Sequence, residues 1–128
     1  MQVNTKAIVI GSVKYGDSSL IVKCFTLEEG FKSYLLRGVI KSKKGKINKA
    51  HFLPLSILNI NASHNNKGNL NSITESKVVT HFRTIHTDFV KQSIVFFISE
   101  FLSIVIREEE GENQELYHFL EGTVQLLE

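Results

Sequence analysis

The sequence predicts a small closed barrel of five β-strands, followed by the α-helices of a helical domain that is cut short. The chain has 128 residues, which suits one compact domain or two small ones. Up to Val79, short β-branched and aromatic runs alternate with Gly, Asn, Asp and Ser, and no helical pattern separates them. After Arg83, apolar residues recur at spacings of three and four, the period of a helix. We therefore divide the chain into residues 1–82 and 83–128.

The five apolar runs are predicted to form an antiparallel barrel. Tyr15-Gly-Asp-Ser is a turn signal that joins the first two runs as a hairpin. Pro54 suits the entrance of the fourth strand, because proline cannot donate to a strand ladder. Closing the sheet removes the edges that five short strands would otherwise expose. The best candidate is a five-stranded antiparallel OB-fold barrel, with strands at residues 5–13, 20–26, 31–39, 52–60 and 70–79.

Two helices are predicted in the second part of the chain. The first spans about residues 88–108, with Asp88 as its cap, and the second begins near Gln114. The first helix carries a wide apolar stripe, formed by Phe89, Val90, Ser93, Phe97, Phe101, Ile104 and Val105 and extended by Ile94, Ile98 and Leu102. This stripe needs more neighbours than the chain offers. We expect a longer protein of which this is the front part, or self-association through the uncovered helical face.

The composition argues against membrane and disulfide-stabilised classes. The longest apolar run, residues 94–98, is far shorter than the ~20 residues of a membrane span, and residues 1–9 carry no secretory leader. We expect a cytoplasmic protein with no membrane partner. Cys24 is the single cysteine, so it cannot form an internal disulfide or supply a multi-thiolate metal site.

Catalysis finds little support in the sequence. The histidines have no helical zinc spacing, and they are scattered over positions His51, His64, His81, His86 and His118. Cys24 alternates with Val22 on a predicted strand, which indicates a buried thiol and not a nucleophile. We expect no enzyme activity, no metal and no cofactor. A small hydrolase remains an alternative if the histidines and the glutamates of residues 108–115 converge on one cleft.

The two parts of the chain carry opposite net charges. Residues 1–83 hold thirteen basic and four acidic side chains, a net +9, whereas residues 84–128 hold two basic and nine acidic ones, a net −7. The densest basic segment is 37–49, with six cations and no acid. Such a segment suits a nucleic-acid backbone, because each cation that meets a phosphate releases a counterion. The predicted DNA-binding residues are Arg37, Lys41, Lys43, Lys44, Lys46 and Lys49.

Two further expectations concern this surface. Residues 42–49 have almost no apolar anchor apart from Ile47, so we expect disorder there without a ligand. Of the aromatic residues near it, Tyr15 and Tyr34 are the best candidates for exposed stacking on bases. The alternatives are a solvated loop without a partner, or an OB-type protein-interaction module whose basic loop binds an acidic protein.

Several short motifs, in order, resemble the amino-terminal region of the bacterial DNA repair and recombination protein RecO. They are Thr5-Lys-Ala-Ile-Val-Ile, Tyr15-Gly-Asp-Ser-Ser-Leu-Ile-Val, Phe25-Thr-Leu-Glu-Glu-Gly, Arg37-Gly-Val, Leu53-Pro-Leu-Ser-Ile-Leu and Ile73-Thr-Glu. The helical part, with Ile106-Arg-Glu-Glu-Glu, resembles the version of this family in Bacteroides-like bacteria. The similarity thus covers essentially the whole chain.

The resemblance implies an OB-fold followed by a helical domain in a recombination mediator without enzymatic activity. Its implied partners are single- and double-stranded DNA and RecR, together with RecA and single-strand-binding protein, indirectly or through a missing carboxyl-terminal part. Members are usually about twice this long, so a zinc motif and a pocket for single-strand-binding protein would lie beyond residue 128. The family's basic DNA-binding face is transferred only to the six cations named above.

Overall fold

A computed structural model describes residues 2–39, 47–64, 71–105 and 112–128 of the chain. Five strands form a closed barrel in the order β1-β2-β3-β5-β4, which confirms the predicted OB-type architecture. The strands are β1 (Gln2–Tyr15), β2 (Ser19–Thr26), β3 (Gly30–Leu36), β4 (Ile57–Ser63) and β5 (Asn71–Val78).

The barrel is antiparallel except at one pair. β3 and β5 run parallel, and Tyr34 pairs with Asn71 and Leu35 with Ser72. The purely antiparallel description is therefore corrected at this pair. The reason is geometric, because an odd number of strands cannot alternate in direction all the way around a closed ring. One neighbouring pair must be parallel.

The predicted start of the fourth strand is also wrong. Residues Lys49–Phe52 form a short 3₁₀ helix, and β4 begins only at Ile57. Between them the chain turns, and Leu55 adopts a positive φ of 64°. The Leu55 side chain is fully buried and its N–H donates to the Val9 carbonyl at 2.7 Å. Burial and this hydrogen bond hold a backbone conformation that a branched residue otherwise avoids.

Two hydrophobic clusters organise the molecule. The first fills the barrel and includes Val9, Val22, Leu58 and Ile60. The second lies on the outside of the barrel, where residues of β1, β2, β3 and β4 meet both helices; it contains Ile8, Ile10, Phe25, Phe31, Leu55, Ile57, Ile85, Val95, Tyr117, Leu120 and Val124. The helices thus cover one part of the barrel wall, and the division at residues 82/83 stays a prediction.

The helices begin where the sequence predicts. They are α1 (Phe89–Val105) and α2 (Gln114–Leu127). The Asp88 carboxylate accepts the Lys91 N–H at 3.0 Å, which confirms the predicted cap, and Asn113 caps α2 through the Leu116 N–H. The predicted end of the first helix, at about residue 108, lies outside the described residues. No described helix is both long and apolar enough to cross a lipid bilayer.

Most of the apolar stripe of α1 faces away from the barrel. α1 buries Val95 and Ser99, and the stripe residues Ile98 and Leu102 pack against the second cluster. On the other side of the helix, Phe89, Phe97 and Ile104 are 81%, 73% and 74% exposed. This larger part of the stripe has no cover among the described residues, as the excess of apolar positions predicts.

Candidate nucleic-acid interface

The outer wall of β1, β2 and β3 beyond the helices is the best candidate for a binding surface. On β2, the side chains of Val22 and Cys24 are fully buried inside the barrel. Lys23 lies between them, so it points outward because side chains alternate along a strand. In register it lies beside Gly11 on β1 and Ser33 on β3. Because Gly11 has no side chain and Ser33 has a small one, neither neighbour covers the Lys23 side chain.

An apolar row crosses the three strands next to Lys23. Val13, Ile21 and Leu35 pair in register, and the row continues to Ser72 through the parallel β3–β5 pair. Val13 is 59% exposed, while Ile21 and Leu35 are half-buried. This aliphatic row can make apolar contact with a ligand, whereas stacking on bases requires an aromatic side chain.

Tyr15 and Arg37 extend this surface at the end of β1 and just beyond β3. Tyr15 is 55% exposed, which confirms its expected exposure. Arg37 is exposed in the turn after β3. That turn is held by Gly38, whose φ is +69° and whose N–H donates to the Ser19 hydroxyl at 3.2 Å. The apolar row therefore lies between two cations, Lys23 on one side and Arg37 on the other.

A cleft beside the parallel strand pair continues the surface toward the lysine-rich segment. It is lined by Leu35, Leu36, Arg37, Ile47, Asn71, Ser72 and Ile73. Val39 belongs to the cluster that fills the barrel, and Ile47 packs against the same cluster. The chain is thus anchored to the barrel on each side of residues 40–46, and Arg37 and Ile47 both line this cleft.

The six predicted DNA-binding cations divide into two groups. Lys41, Lys43, Lys44 and Lys46 lie outside the described residues, as does most of the segment expected to be disordered. Arg37 is part of the wall just described. Lys49 is exposed at the start of the 3₁₀ helix and is not among the residues that line the cleft. The role of all six in DNA binding stays a prediction.

The expectation for Tyr34 is wrong. Its side chain is fully buried inside the barrel, and its hydroxyl lies 2.8 Å from His64 Nε2. Burial lowers the pKa of His64. Tyr34 shares its strand face with Leu36, and that face closes the barrel interior. The aromatic ring therefore belongs to the core, where it stabilises the barrel and has no access to a ligand.

Sequence reasoning missed Lys23 and the apolar row. Lys23 is isolated from other cations along the chain, so charge density does not select it. The alternation of Val22, Lys23 and Cys24 does indicate an outward position. The alternation does not predict which residues of different strands lie side by side. Val13, Ile21 and Leu35 become neighbours only when the barrel closes.

Of the histidines considered for catalysis, His51, His81 and His86 line one cleft, whereas His64 is buried and His118 is exposed on α2. Burial raises the pKa of the Cys24 thiol to about 12, which confirms a buried thiol. Glu112 and Glu115 are exposed near the start of α2, while Glu108, Glu109 and Glu110 lie outside the described residues. Within residues 2–39, 47–64, 71–105 and 112–128, no three His, Cys, Asp or Glu side chains have an arrangement that could hold a metal ion.

Comparison with known proteins gives a consistent result. The family model described as "Recombination protein O N terminal" matches residues 1–82. The chain is 51% identical to the DNA repair protein RecO of Flavobacterium johnsoniae over 128 residues, which is 100% of this chain and 54% of the relative. It is 37% identical to that of Phocaeicola vulgatus over 97% of this chain and 51% of the relative.

The similarity extends past the barrel into the helices. The DNA repair protein RecO of Porphyromonas gingivalis is 33% identical over 100% of this chain and 52% of the relative. The chain therefore spans about half the length of the curated relatives it matches. The family model covers the closed five-stranded barrel, and the alignments cover the barrel and both helices. We conclude that the chain belongs to the RecO family of DNA repair proteins.

Proposed function

We propose that this chain is the DNA-binding part of a recombination mediator, which holds DNA on the outer wall of its barrel. The observation that carries the proposal is the apolar row of Val13, Ile21 and Leu35 between Lys23 and Arg37. Proteins that bind single strands without sequence preference combine a positively charged groove with aromatic side chains on which bases stack, and the exposed ring of Tyr15 lies at the end of this wall. Strands 2 and 3 are also the face on which OB-folds bind oligonucleotides.

The basic segment extends the same surface. Arg37 begins it, Lys49 ends it, and Lys41, Lys43, Lys44 and Lys46 lie between them. Val39 and Ile47, the described residues on either side of these lysines, both pack against the barrel. Each cation that contacts a phosphate adds affinity by counterion release, whatever the base sequence.

The proposed activity makes and breaks no covalent bond and uses no cofactor. A cationic surface that binds phosphates screens the repulsion between two strands and leaves their bases free to pair, so it promotes annealing. We place this activity in the cytoplasm, on single- and double-stranded DNA. By resemblance to the family, RecR is the direct protein partner, and RecA loading on DNA coated by single-strand-binding protein is the outcome.

Fluorescence anisotropy of a labelled single-stranded oligonucleotide tests the proposal. If four to six phosphates are contacted, the log-log dependence of affinity on salt should have a slope of roughly −3 to −4. Changing Lys41, Lys43, Lys44 and Lys46 to Gln should make that slope shallower. Affinity that does not depend on salt would contradict the mechanism. Absence of binding at low salt, combined with binding of an acidic protein, would favour the protein-interaction alternative.

A further inference from the structure

A second cleft of about 220 Å³ lies between the 3₁₀ helix, the ends of β4 and β5, and the segment that leads into α1. This volume holds several water molecules, each of which takes about 30 Å³ in the liquid. We call it the histidine cleft. This cleft is separate from the wall described above, because it includes none of Lys23, Arg37 and the residues of the apolar row. It is lined by Ala50, His51, Leu53, Ser56, Val78, Thr80, His81, Phe82 and His86.

Three imidazoles and no carboxylate line this cleft. The 3₁₀ helix supplies His51, and the segment after β5 supplies His81 and His86. Burial and the charge of nearby His81 lower the pKa of His51. The positive charge of His81 thus opposes protonation of His51, and no acidic side chain in the lining offsets this repulsion. A ligand that supplies negative charge would relieve this repulsion.

The hydrogen bonds of two of these histidines leave one ring nitrogen available on each. His86 Nε2 lies 2.8 Å from the Pro54 carbonyl oxygen. Because a carbonyl only accepts, Nε2 carries the proton, and Nδ1 becomes a donor only when the ring is protonated. His51 uses Nδ1 for a 3.0 Å contact with the Ser76 hydroxyl, which leaves its Nε2.

Two hydroxyl groups add to the donors that line the cleft. They belong to Ser56 and Thr80, which both line the cleft. A tetrahedral oxyanion accepts hydrogen bonds from several directions, so imidazolium and hydroxyl donors on different walls can contact it together.

Charged groups of both signs lie near the cleft. Lys49 adjoins a lining residue in the sequence, and so does Arg83. The Glu128 carboxylate accepts the backbone N–H groups of Arg83, Thr84 and Ile85, next to the lining residues Phe82 and His86. The Asp88 carboxylate accepts the Lys91 N–H. On the α1 side, the Gln92 amide donates to the His86 carbonyl and brings no charge.

We propose that the histidine cleft binds a phosphate group, with proton uptake by its imidazoles. The phosphate can belong to a nucleic-acid backbone or be a free oxyanion, because both present the same acceptors. The inference does not require the proposed DNA-binding wall, since the two surfaces have no residue in common.

NMR titration of the histidine imidazole signals of the intact chain tests the inference with two probes. The first is inorganic sulfate, whose charge stays constant between about pH 6 and pH 8, and the second is a dithymidine phosphodiester. Sulfate should shift the imidazole signals of His51, His81 and His86, and it should raise the pKa of His51. For each proton taken up, its affinity should increase up to about tenfold per pH unit as the pH falls toward the histidine pKa.

His118 provides the matched control, because it is exposed on α2, away from the cleft. His86→Gln should weaken sulfate binding several-fold, and His118→Gln should leave it unchanged. Shifts with both probes identify a backbone phosphate as ligand, and shifts with sulfate alone identify a free oxyanion. Shifts no larger at the three cleft histidines than at His118 would overturn the inference. These measurements use sulfate and a dinucleotide in place of long DNA. A negative result would therefore count against the histidine cleft and not against DNA binding by the barrel wall.

Discussion

Removing one cation from each side of the apolar row gives the sharpest test of the proposed binding wall. Lys23 points outward from β2, and Arg37 is exposed in the turn after β3. Neither has an ion-pair partner among the described residues, where Lys6 and Glu121 form such a pair. Lys23→Gln and Arg37→Gln therefore remove a charge without leaving an unpaired acid behind.

The expected magnitude follows from counterion release. Each phosphate contact on a single strand contributes about 0.7 to the log-log salt slope, so each variant should be shallower by about 0.7 and the double variant by about 1.4. At about 0.1 M salt, one lost contact corresponds to about 1 kcal/mol, or roughly fivefold weaker binding. Anisotropy titrations of a labelled oligonucleotide at several salt concentrations measure both quantities.

Lys77→Gln is the matched control, because it removes the same charge from a different wall. Lys77 is exposed on β5 and pairs in register with Asn59 on β4. If the strand lies along β2 and β3, this variant should keep the wild-type slope. Equal effects of all three single variants would refute the assignment, since they would show that only net charge matters.

Three other predictions concern the remaining parts of the molecule. Because burial raises the pKa of the Cys24 thiol to about 12, a thiol reagent should label the native chain at least about a hundredfold more slowly than the urea-unfolded chain; comparable rates would contradict the buried position. Burial lowers the pKa of His64 and of His51, so the unfolded chain binds more protons below the ordinary pKa of about 6.5, and the free energy of unfolding should fall as the pH drops through that region. Urea unfolding checks this, and His64→Gln should flatten the profile; a wild-type profile independent of pH would refute it. Finally, Phe97 is 73% exposed on the apolar side of α1, so the chain should self-associate and Phe97→Asp should weaken the association; sedimentation velocity showing a monomer at high concentration would count against this.

Local patterns in the sequence predict most of the elements, because their causes act over a few residues. The Tyr15-Gly-Asp-Ser turn joins β1 to β2, and the change of period after Arg83 precedes α1. Asp88 lies one residue before α1 and accepts a hydrogen bond in its first turn. These features depend on side-chain alternation, turn geometry and capping, all of which are encoded within one element.

The candidate site could be predicted only in part. Charge density selects Arg37, because it begins the basic segment, but it misses Lys23, which lies alone between apolar residues. Tyr15 in a predicted turn and Tyr34 in a predicted strand are both expected to be exposed, yet Tyr15 is 55% exposed and Tyr34 is fully buried. The difference arises from the barrel, since Tyr34 faces the interior and Tyr15 lies at the free end of the β1–β2 hairpin.

The sequence by itself determined the number of strands, the closed OB-type barrel, the helix starts and the opposite charges of the two parts. Only the tertiary structure decided the parallel β3–β5 pair, the turn at Leu55, the outward stripe of α1 and the row that joins Val13, Ile21 and Leu35. The physical reason is distance along the chain. A period or a cap depends on neighbours a few residues away, whereas register and burial depend on which distant segments close against one another.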